Sequence, residues 1–147
     1  MRILSLLLLT IFLGKSCEVQ NKQNLESAVI EYTANSRGFY QKITVQNQMV
    51  TISIDRRGLD KAVATKIADN DWEELVDLFS KIELDSLSKL KAPTEKRFYD
   101  GAAIANFKIK FQDKTYETTS FDHGFPPNEI EKFVNKINSF AKQNDEN

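Results

Sequence analysis

The order of apolar and polar residues predicts a sheet interrupted by two helices. From residue 28 onwards the two kinds of residue alternate, as Ala28, Ile30 and Tyr32 show, and a period of two is typical of half-buried antiparallel strands. The alternation recurs in segments 39–46, 49–56, 62–67, 103–111 and 115–120. Tight turns are predicted at Asn47-Gln48 and Asp113-Lys114. The pattern therefore predicts about six strands.

Two other segments have helical spacing. Asn70 as N-cap and Glu73 as its capping-box partner predict the start of the first helix. Its apolar stripe consists of Trp72, Leu75, Val76, Phe79 and Ile82. The second helix follows Pro126-Pro127, and its stripe consists of Ile130, Phe133, Val134, Ile137 and Phe140. We expect a two-layer α+β fold, with two amphipathic helices on one face of an antiparallel sheet of about six strands.

Composition narrows the class of protein. The chain has 147 residues, of which 41% are apolar and 28% charged, as expected for one folded domain. Its 20 basic and 21 acidic residues give no general basis for binding nucleic acid. One Cys and one His exclude a disulfide framework and a zinc site built from Cys and His alone within one chain. We expect no cofactor.

The N-terminus has the features of an export signal. Arg2 precedes an apolar run from Ile3 to Leu13, which is too short to span a bilayer comfortably. Small and polar residues then lead to Cys17, the only cysteine. A basic start, a short apolar run and a small-residue exit are typical of a secretory signal. Removal of residues 1–16 would change the formal net charge from −1 to −3.

Cys17 is the candidate lipidation site. The segment resembles bacterial lipoprotein signals, in which a small residue precedes a cysteine that is acylated, for example with palmitate, and becomes the new N-terminus. Lys15 departs from that pattern. Ordinary signal cleavage at the same bond is the alternative, but a lone exported thiol needs a chemical reason. The predicted division is a signal peptide at 1–16, a lipidated tether at 17–27, one domain at 28–142 and a disordered tail at 143–147.

Candidate chemistry is confined to two loops, at 93–101 and 121–127. They flank the predicted hairpin 103–120, and the two open ends of a hairpin lie together. Aromatic, charged, Gly and Pro residues in such loops are typical of binding sites. The predicted binding site therefore consists of Arg97, Tyr99, Asp100, Asp122 and His123, with Arg37 from the first turn as a possible addition.

Several roles remain open for these residues. His123 is a candidate general acid or base that Asp100 would orient, because the neighbouring Asp122 would point the other way in an extended segment. The favoured alternative is structural: Asp122 caps the loop or the helix start, and His123 bonds to the backbone. Asp100, Asp122 and His123 lack the spacing of any specific metal site, and we expect no metal.

The domain also resembles a known family. The segments that carry the resemblance are Asn-Asp-Trp-Glu-Glu-Leu-Val-Asp-Leu-Phe from residue 70, Asp-Gly-Ala-Ala-Ile-Ala from residue 100 and Asp-His-Gly-Phe-Pro-Pro from residue 122. Roughly residues 28–140 resemble a family of small uncharacterised lipoproteins of Gram-negative bacterial envelopes, a domain of unknown function. The resemblance implies an envelope location, with the outer membrane favoured and the domain in the periplasm or at the cell surface. It implies no activity.

The sequence thus favours a lipid-anchored envelope protein that acts as a binding or interaction module without catalysis. Its expected partners are the membrane, through acyl chains on Cys17, and an envelope protein or small ligand at the two loops. One alternative is an acid–base hydrolase that uses His123 with Asp100. Another is a secreted inhibitor of a wall-active enzyme or protease.

Overall fold

The alternating segments form one antiparallel sheet and the two stripes form helices, as a computed structural model that describes residues 25–144 shows. The strands are β1 (Val29–Asn35), β2 (Tyr40–Gln46), β3 (Met49–Ser53), β4 (Ala64–Lys66), β5 (Ile104–Phe111), β6 (Lys114–Glu117) and β7 (Phe121–Asp122). The helices are α1 (Asp69–Ser80) and α2 (Glu131–Asn144). Short 3-10 turns lie at Leu84–Lys89, Lys96–Tyr99 and Asn128–Ile130. The predicted α+β class is confirmed.

The sheet is centred on β1. The strand order is β4-β3-β2-β1-β5-β6, and the short β7 also pairs with β5. Tyr32 in β1 lies opposite Ile43 in β2 and Phe107 in β5. All three side chains are fully buried. Because directly paired residues point to the same side, the register gathers the apolar positions on one face of the sheet.

Both helices pack against that face. Trp72, Leu75 and Phe79 of α1 are buried in the same core as the apolar strand residues. The ring of Phe133 in α2 lies 6.0 Å from that of Phe79 and 5.8 Å from that of Phe107, measured between centroids. The predicted stripes are therefore the faces that join the two layers.

Two hairpins close with two-residue turns. Asn47 and Gln48 have φ angles of 52° and 60°, and Gln112 and Asp113 have φ angles of 50° and 61°. Positive φ at both central residues matches the right-handed twist of the flanking strands. The second turn lies one residue earlier than predicted, because Lys114 already pairs with Phe111 as the first residue of β6.

The predicted capping box of α1 is wrong. The helix begins at Asp69, its N-cap is Ala68, and the N-cap makes no side-chain hydrogen bond. Gln48 donates to the carbonyl of Ile67 (3.0 Å) and to the carboxylate of Asp69 (2.7 Å). These bonds from the β2–β3 turn fix the chain where it enters the helix, which places Asn70 inside the first turn.

Two predicted boundaries also shift. Leu25, assigned above to the tether, is only 1% exposed, and its carbonyl accepts a hydrogen bond from the backbone N–H of Ala28. Gln143 and Asn144, assigned above to the tail, belong to α2. The predicted signal peptide, Cys17, the tether up to residue 24 and residues 145–147 lie outside the described residues. In the described part, no helix is both long and apolar enough to cross a bilayer.

Candidate functional site

The two candidate loops meet at one end of the sheet. β1 starts at Val29, which lies opposite Lys110, and finishes at Asn35, which lies opposite Ile104. Ile104 in turn pairs with Asp122. The end where β1 finishes is called the loop end below, and it comprises residues 36–39, 54–63, 93–104 and 121–127. A strand of seven residues places it about 20 Å from the end near Leu25.

Asp122 organises the loop that precedes β5. Its carboxylate is fully buried. It accepts hydrogen bonds from Thr94 Oγ1 (2.5 Å), the backbone N–H of Lys96 (2.7 Å), the backbone N–H of Arg97 (3.0 Å) and Arg97 Nη1 (3.1 Å). Burial raises the pKa of Asp122, but the bonds from Thr94, Arg97 and Lys96 outweigh burial and hold the pKa at about 2. Asp122 is therefore an ionised anchor for the loop.

Arg97 is held as firmly as its partner. Its side chain is 8% exposed. Nη1 also donates to the carbonyl of Thr94 (2.8 Å), and Nε donates to Ser120 Oγ (3.3 Å). The guanidinium carbon lies 4.3 Å from the ring centre of Phe98. The predicted contact between Arg97 and Asp122 is present, but both groups are used within the protein, so neither offers its charge to a ligand.

His123 points to the opposite side of the sheet from Asp122. Because Phe121 and Asp122 alternate in β7, Phe121 lies in the core on the helix side, whereas Asp122 lies under the loop on the other side. His123 continues the alternation and returns to the helix side. Its Nδ1 lies 2.7 Å from Tyr32 Oη. The predicted pairing with Asp100 is therefore replaced by a bond to a buried tyrosine.

A tight turn fixes His123 in this position. Its backbone N–H donates to the carbonyl of Ala103 (2.9 Å), and the N–H of Phe125 donates to the carbonyl of Asp122 (2.9 Å). Gly124, the third residue of the turn, has a φ of 89°, a conformation that favours glycine. The ring of Phe39 packs beside the imidazole with 5.3 Å between centroids.

The remaining predicted residues lie on the surface of the loop end. Tyr99 is 72% exposed. Asp100 ends a 3-10 turn in the left-handed conformation and is exposed. Arg37 is exposed, and no ion pair joins it to another described residue. The predicted site thus divides into a buried Asp122–Arg97 pair, a His123–Tyr32 pair and an exposed set.

Exposed apolar side chains are concentrated at the loop end. Every large apolar residue that is exposed in the described chain lies there: Phe39, Ile54, Leu59, Val63, Phe98, Tyr99, Ile104 and Phe125. Lys96 Nζ lies 4.5 Å from the ring centre of Phe125, which links the two candidate loops. The apolar surface is defined below as Phe39, Phe98, Tyr99, Ile104 and Phe125. The predicted binding site named Tyr99 alone of these residues, although Phe98 and Phe125 lie in the two candidate loops.

Comparison of the chain with protein-family models, with curated proteins and with solved structures finds no match. Over residues 25–144, no group of three or more His, Cys, Asp and Glu side chains is arranged to hold a metal ion. Geometry and electrostatics are therefore the basis for the functional argument.

Proposed function

We propose that this chain is an exported cell-envelope protein, anchored through acyl chains on Cys17, that binds a protein partner through its apolar surface. The export signal and the single cysteine after it support the envelope location. The observation that carries the binding role is the placement of all described exposed large apolar side chains at the loop end. Such clusters on a soluble domain mark interaction sites.

The side chains of the apolar surface are suited to a protein interface. Phe98 and Tyr99 are 71% and 72% exposed, and aromatic residues are enriched among those that contribute most to binding between proteins. Lys96 lies over Phe125 and adds a positive charge beside the rings. A partner with an apolar patch bordered by acidic residues would match this arrangement.

Hydrogen bonds on both sides hold the backbone that carries Phe98 and Tyr99. The carboxylate of Asp122 binds the backbone N–H groups of Lys96 and Arg97, which directly precede Phe98 and Tyr99. Gly101 follows, and its N–H donates to the carbonyl of Lys96 (2.8 Å). A surface fixed in this way loses less conformational entropy on binding than a free loop does.

The direction of the sheet supports a partner other than the anchoring membrane. The chain enters the core at Leu25, and β1 then runs away from that point towards the loop end. If the tether is attached before Leu25 and β1 points away from the membrane, the apolar surface lies about 20 Å further from the membrane than Leu25 does. We infer that the surface contacts another envelope component.

Photo-crosslinking in intact cells tests the proposal. p-Benzoylphenylalanine replaces Phe98 in the full chain, and the matched control carries it at Gln112, an exposed position in the β5–β6 turn at the other end of the sheet. We expect a discrete adduct of defined mass from position 98 and none of that mass from position 112. The same adduct from both positions, or none from position 98, would contradict the proposal.

A surface variant separates loss of binding from loss of folding. Phe98→Ser with Tyr99→Ser removes two mostly exposed rings and is expected to change the free energy of unfolding by less than about 1 kcal/mol. With the crosslinker moved to Phe125, the variant should give at least about fivefold less adduct, because truncating an aromatic residue that contributes to an interface costs at least about 1 kcal/mol. An undiminished adduct would place the partner surface elsewhere.

A further inference from the structure

The imidazole of His123 borders a cleft whose lining includes none of the five residues of the apolar surface, although Phe39 packs beside the ring. The cleft has a volume of about 340 Å³ and lies between β2, the turn after β7 and one side of α2. Its lining includes Gln41, His123, Asn135, Asn138, Ser139 and Lys142. This volume is at the small end of the range of known ligand pockets. Apart from Gly124, every lining residue has a polar side chain, unlike the core beneath it.

A directional chain of hydrogen bonds runs under the cleft. Gln41 Nε2 donates to Asn138 Oδ1 (2.9 Å), and Asn138 Nδ2 donates to the carbonyl of Val134 (3.1 Å). The side chain of Asn138 also neighbours the Tyr32 hydroxyl. The fully buried Tyr32 hydroxyl has one proton to donate; its oxygen lies 2.7 Å from His123 Nδ1, and Asn138 Oδ1 already accepts from Gln41.

These contacts favour one tautomer of His123. Burial, and then the positive charge of Lys142, lower the pKa of His123, so the ring is neutral at pH 7. Since Nδ1 accepts the Tyr32 proton, the ring proton is on Nε2. Of the buried side-chain nitrogen and oxygen atoms in residues 25–144, only Trp72 Nε1 has no partner. Nε2 has no hydrogen bond within that range either, so it must reach solvent, and the cleft is the opening that His123 borders.

The groups around the cleft include one charged donor and neutral N–H donors. His123 offers Nε2–H, Lys142 offers an ammonium group, and Asn135 offers a side-chain amide. No Asp or Glu lines the cleft. One full positive charge and neutral N–H groups match a ligand with a single negative charge and two acceptor oxygens. A phosphate dianion would leave part of its charge unbalanced.

We propose that this cleft binds the carboxylate group of a small molecule, with His123 Nε2–H and Lys142 as its donors. The site uses none of the five residues of the apolar surface, so it goes beyond the proposed function and stands or falls independently of it. The hydrogen-bonded chain from the half-buried Gln41 and Asn138 to the buried Tyr32 has a role in this arrangement. It holds a neutral histidine with its donor turned outwards, at the cost of placing polar groups against the core.

Nuclear magnetic resonance of the imidazole tests the proposal directly. His123 is the only histidine of the chain, so ¹⁵N-histidine labelling of the full-length protein gives signals from this ring alone. We expect N-acetylalanine to shift the Nε2 signal in a saturable manner, whereas its neutral amide, N-acetylalaninamide, does not. Inorganic phosphate is expected to bind more weakly than N-acetylalanine. The pKa of His123 should rise when the carboxylate is bound, because a nearby anion favours the charged ring.

Variants on α2 locate the site. Lys142→Gln should weaken the binding of N-acetylalanine about tenfold, which corresponds to the loss of one charge-assisted hydrogen bond. Lys132→Gln removes an exposed lysine of the same helix that does not line the cleft, and it should leave binding unchanged. The proposal is wrong if N-acetylalanine gives no saturable shift at tens of millimolar, if the amide or phosphate binds as well, or if both lysine variants behave alike.

Discussion

Asp122 shows how one side chain can determine a surface without being part of it. Its carboxylate is inaccessible, yet it binds the backbone of residues 96 and 97 and the side chains of Thr94 and Arg97. The exposed rings of Phe98 and Tyr99 follow immediately. A change at Asp122 would therefore disturb binding through the fold, and only changes at the rings themselves test contact.

Asp122→Asn is expected to lower the free energy of unfolding by about 3 kcal/mol, because the variant leaves the buried Arg97 charge without its counter-ion. Urea denaturation followed by far-ultraviolet circular dichroism measures this change. Asp100→Asn is the matched control, since Asp100 is exposed, and it should change stability by less than about 0.5 kcal/mol. Equal effects of the two substitutions would show that the buried Asp122–Arg97 pair contributes no more to stability than an exposed carboxylate does.

The pH dependence of stability gives an independent check on Asp122. Its pKa is about 2 in the folded protein, against an ordinary value of 3.8. The folded state thus favours the ionised carboxylate, and the stabilisation is present above pH 4 and is lost as the pH falls towards 2. The difference in stability between the wild type and Asp122→Asn should narrow over that interval. A difference that stays constant would contradict the assignment.

For single residues, the sequence predicted which side chains lie close together better than it predicted what those side chains do. The ends of the 103–120 hairpin correctly brought Arg97 next to Asp122. The alternation also correctly sent Asp122 and His123 in opposite directions. What it did not reveal was the burial of Asp122, because that depends on residues 94–97 folding across the sheet. The partner of His123 is 91 positions away at Tyr32, and no local pattern indicates it.

At the scale of whole elements, Lys136 joins the two helices. Its ammonium group in α2 lies 2.6 Å from Asp71 Oδ1 and 2.6 Å from Glu74 Oε2 in α1. The hydrogen bonds with Asp71 and Glu74 raise the pKa of Lys136. The lysine side chain is 18% exposed, so water screens this contact less than it screens an ordinary surface pair.

A double-mutant cycle measures this contact. Lys136→Met and Asp71→Asn, singly and together, should give a coupling energy of about 0.5–1 kcal/mol by urea denaturation, because the double variant should lose less stability than the sum of the two single losses. A cycle of Lys132→Met with Asp71→Asn is the control, because Lys132 is exposed and makes no ion pair with a described residue. Equal coupling in both cycles would mean that the 2.6 Å contacts contribute no specific stability.

Elements were easier to predict than their ends. Apolar stripes with a period near 3.6 identified both helices, since nearly every residue of each stripe reaches the core. Helix starts depend on contacts that are distant in sequence, and the bonds from Gln48 to Ile67 and Asp69 moved the start of α1. Leu25 was predicted to be in the tether because it is an isolated apolar residue among polar ones. Leu25 is buried because it packs in the common core, and its neighbours in sequence give no sign of that contact.

At the scale of the whole molecule, one core connects the anchoring end to the loop end. The buried residues form a single cluster that includes Leu25 near the chain entry, Phe121 at the loop end and Ala141 in α2. Phe79 and Phe133 link the two helices within it. Because the described sheet and helices share this one core, we expect them to unfold together.

Cooperative unfolding can be measured with the only tryptophan. Trp72 lies in α1 and is 2% exposed, so its fluorescence reports on that helix, whereas far-ultraviolet ellipticity reports on all elements. In urea the two signals should change at the same midpoint.

Leu25→Ala should move both midpoints equally, with a loss of about 3 kcal/mol in the free energy of unfolding, because a buried leucine is removed from the shared core. Leu59→Ala is the matched control at 69% exposure and should leave both midpoints nearly unchanged. If fluorescence changed at lower urea than ellipticity, α1 would be an independent unit; if Leu25→Ala behaved like Leu59→Ala, residue 25 would belong to the tether after all.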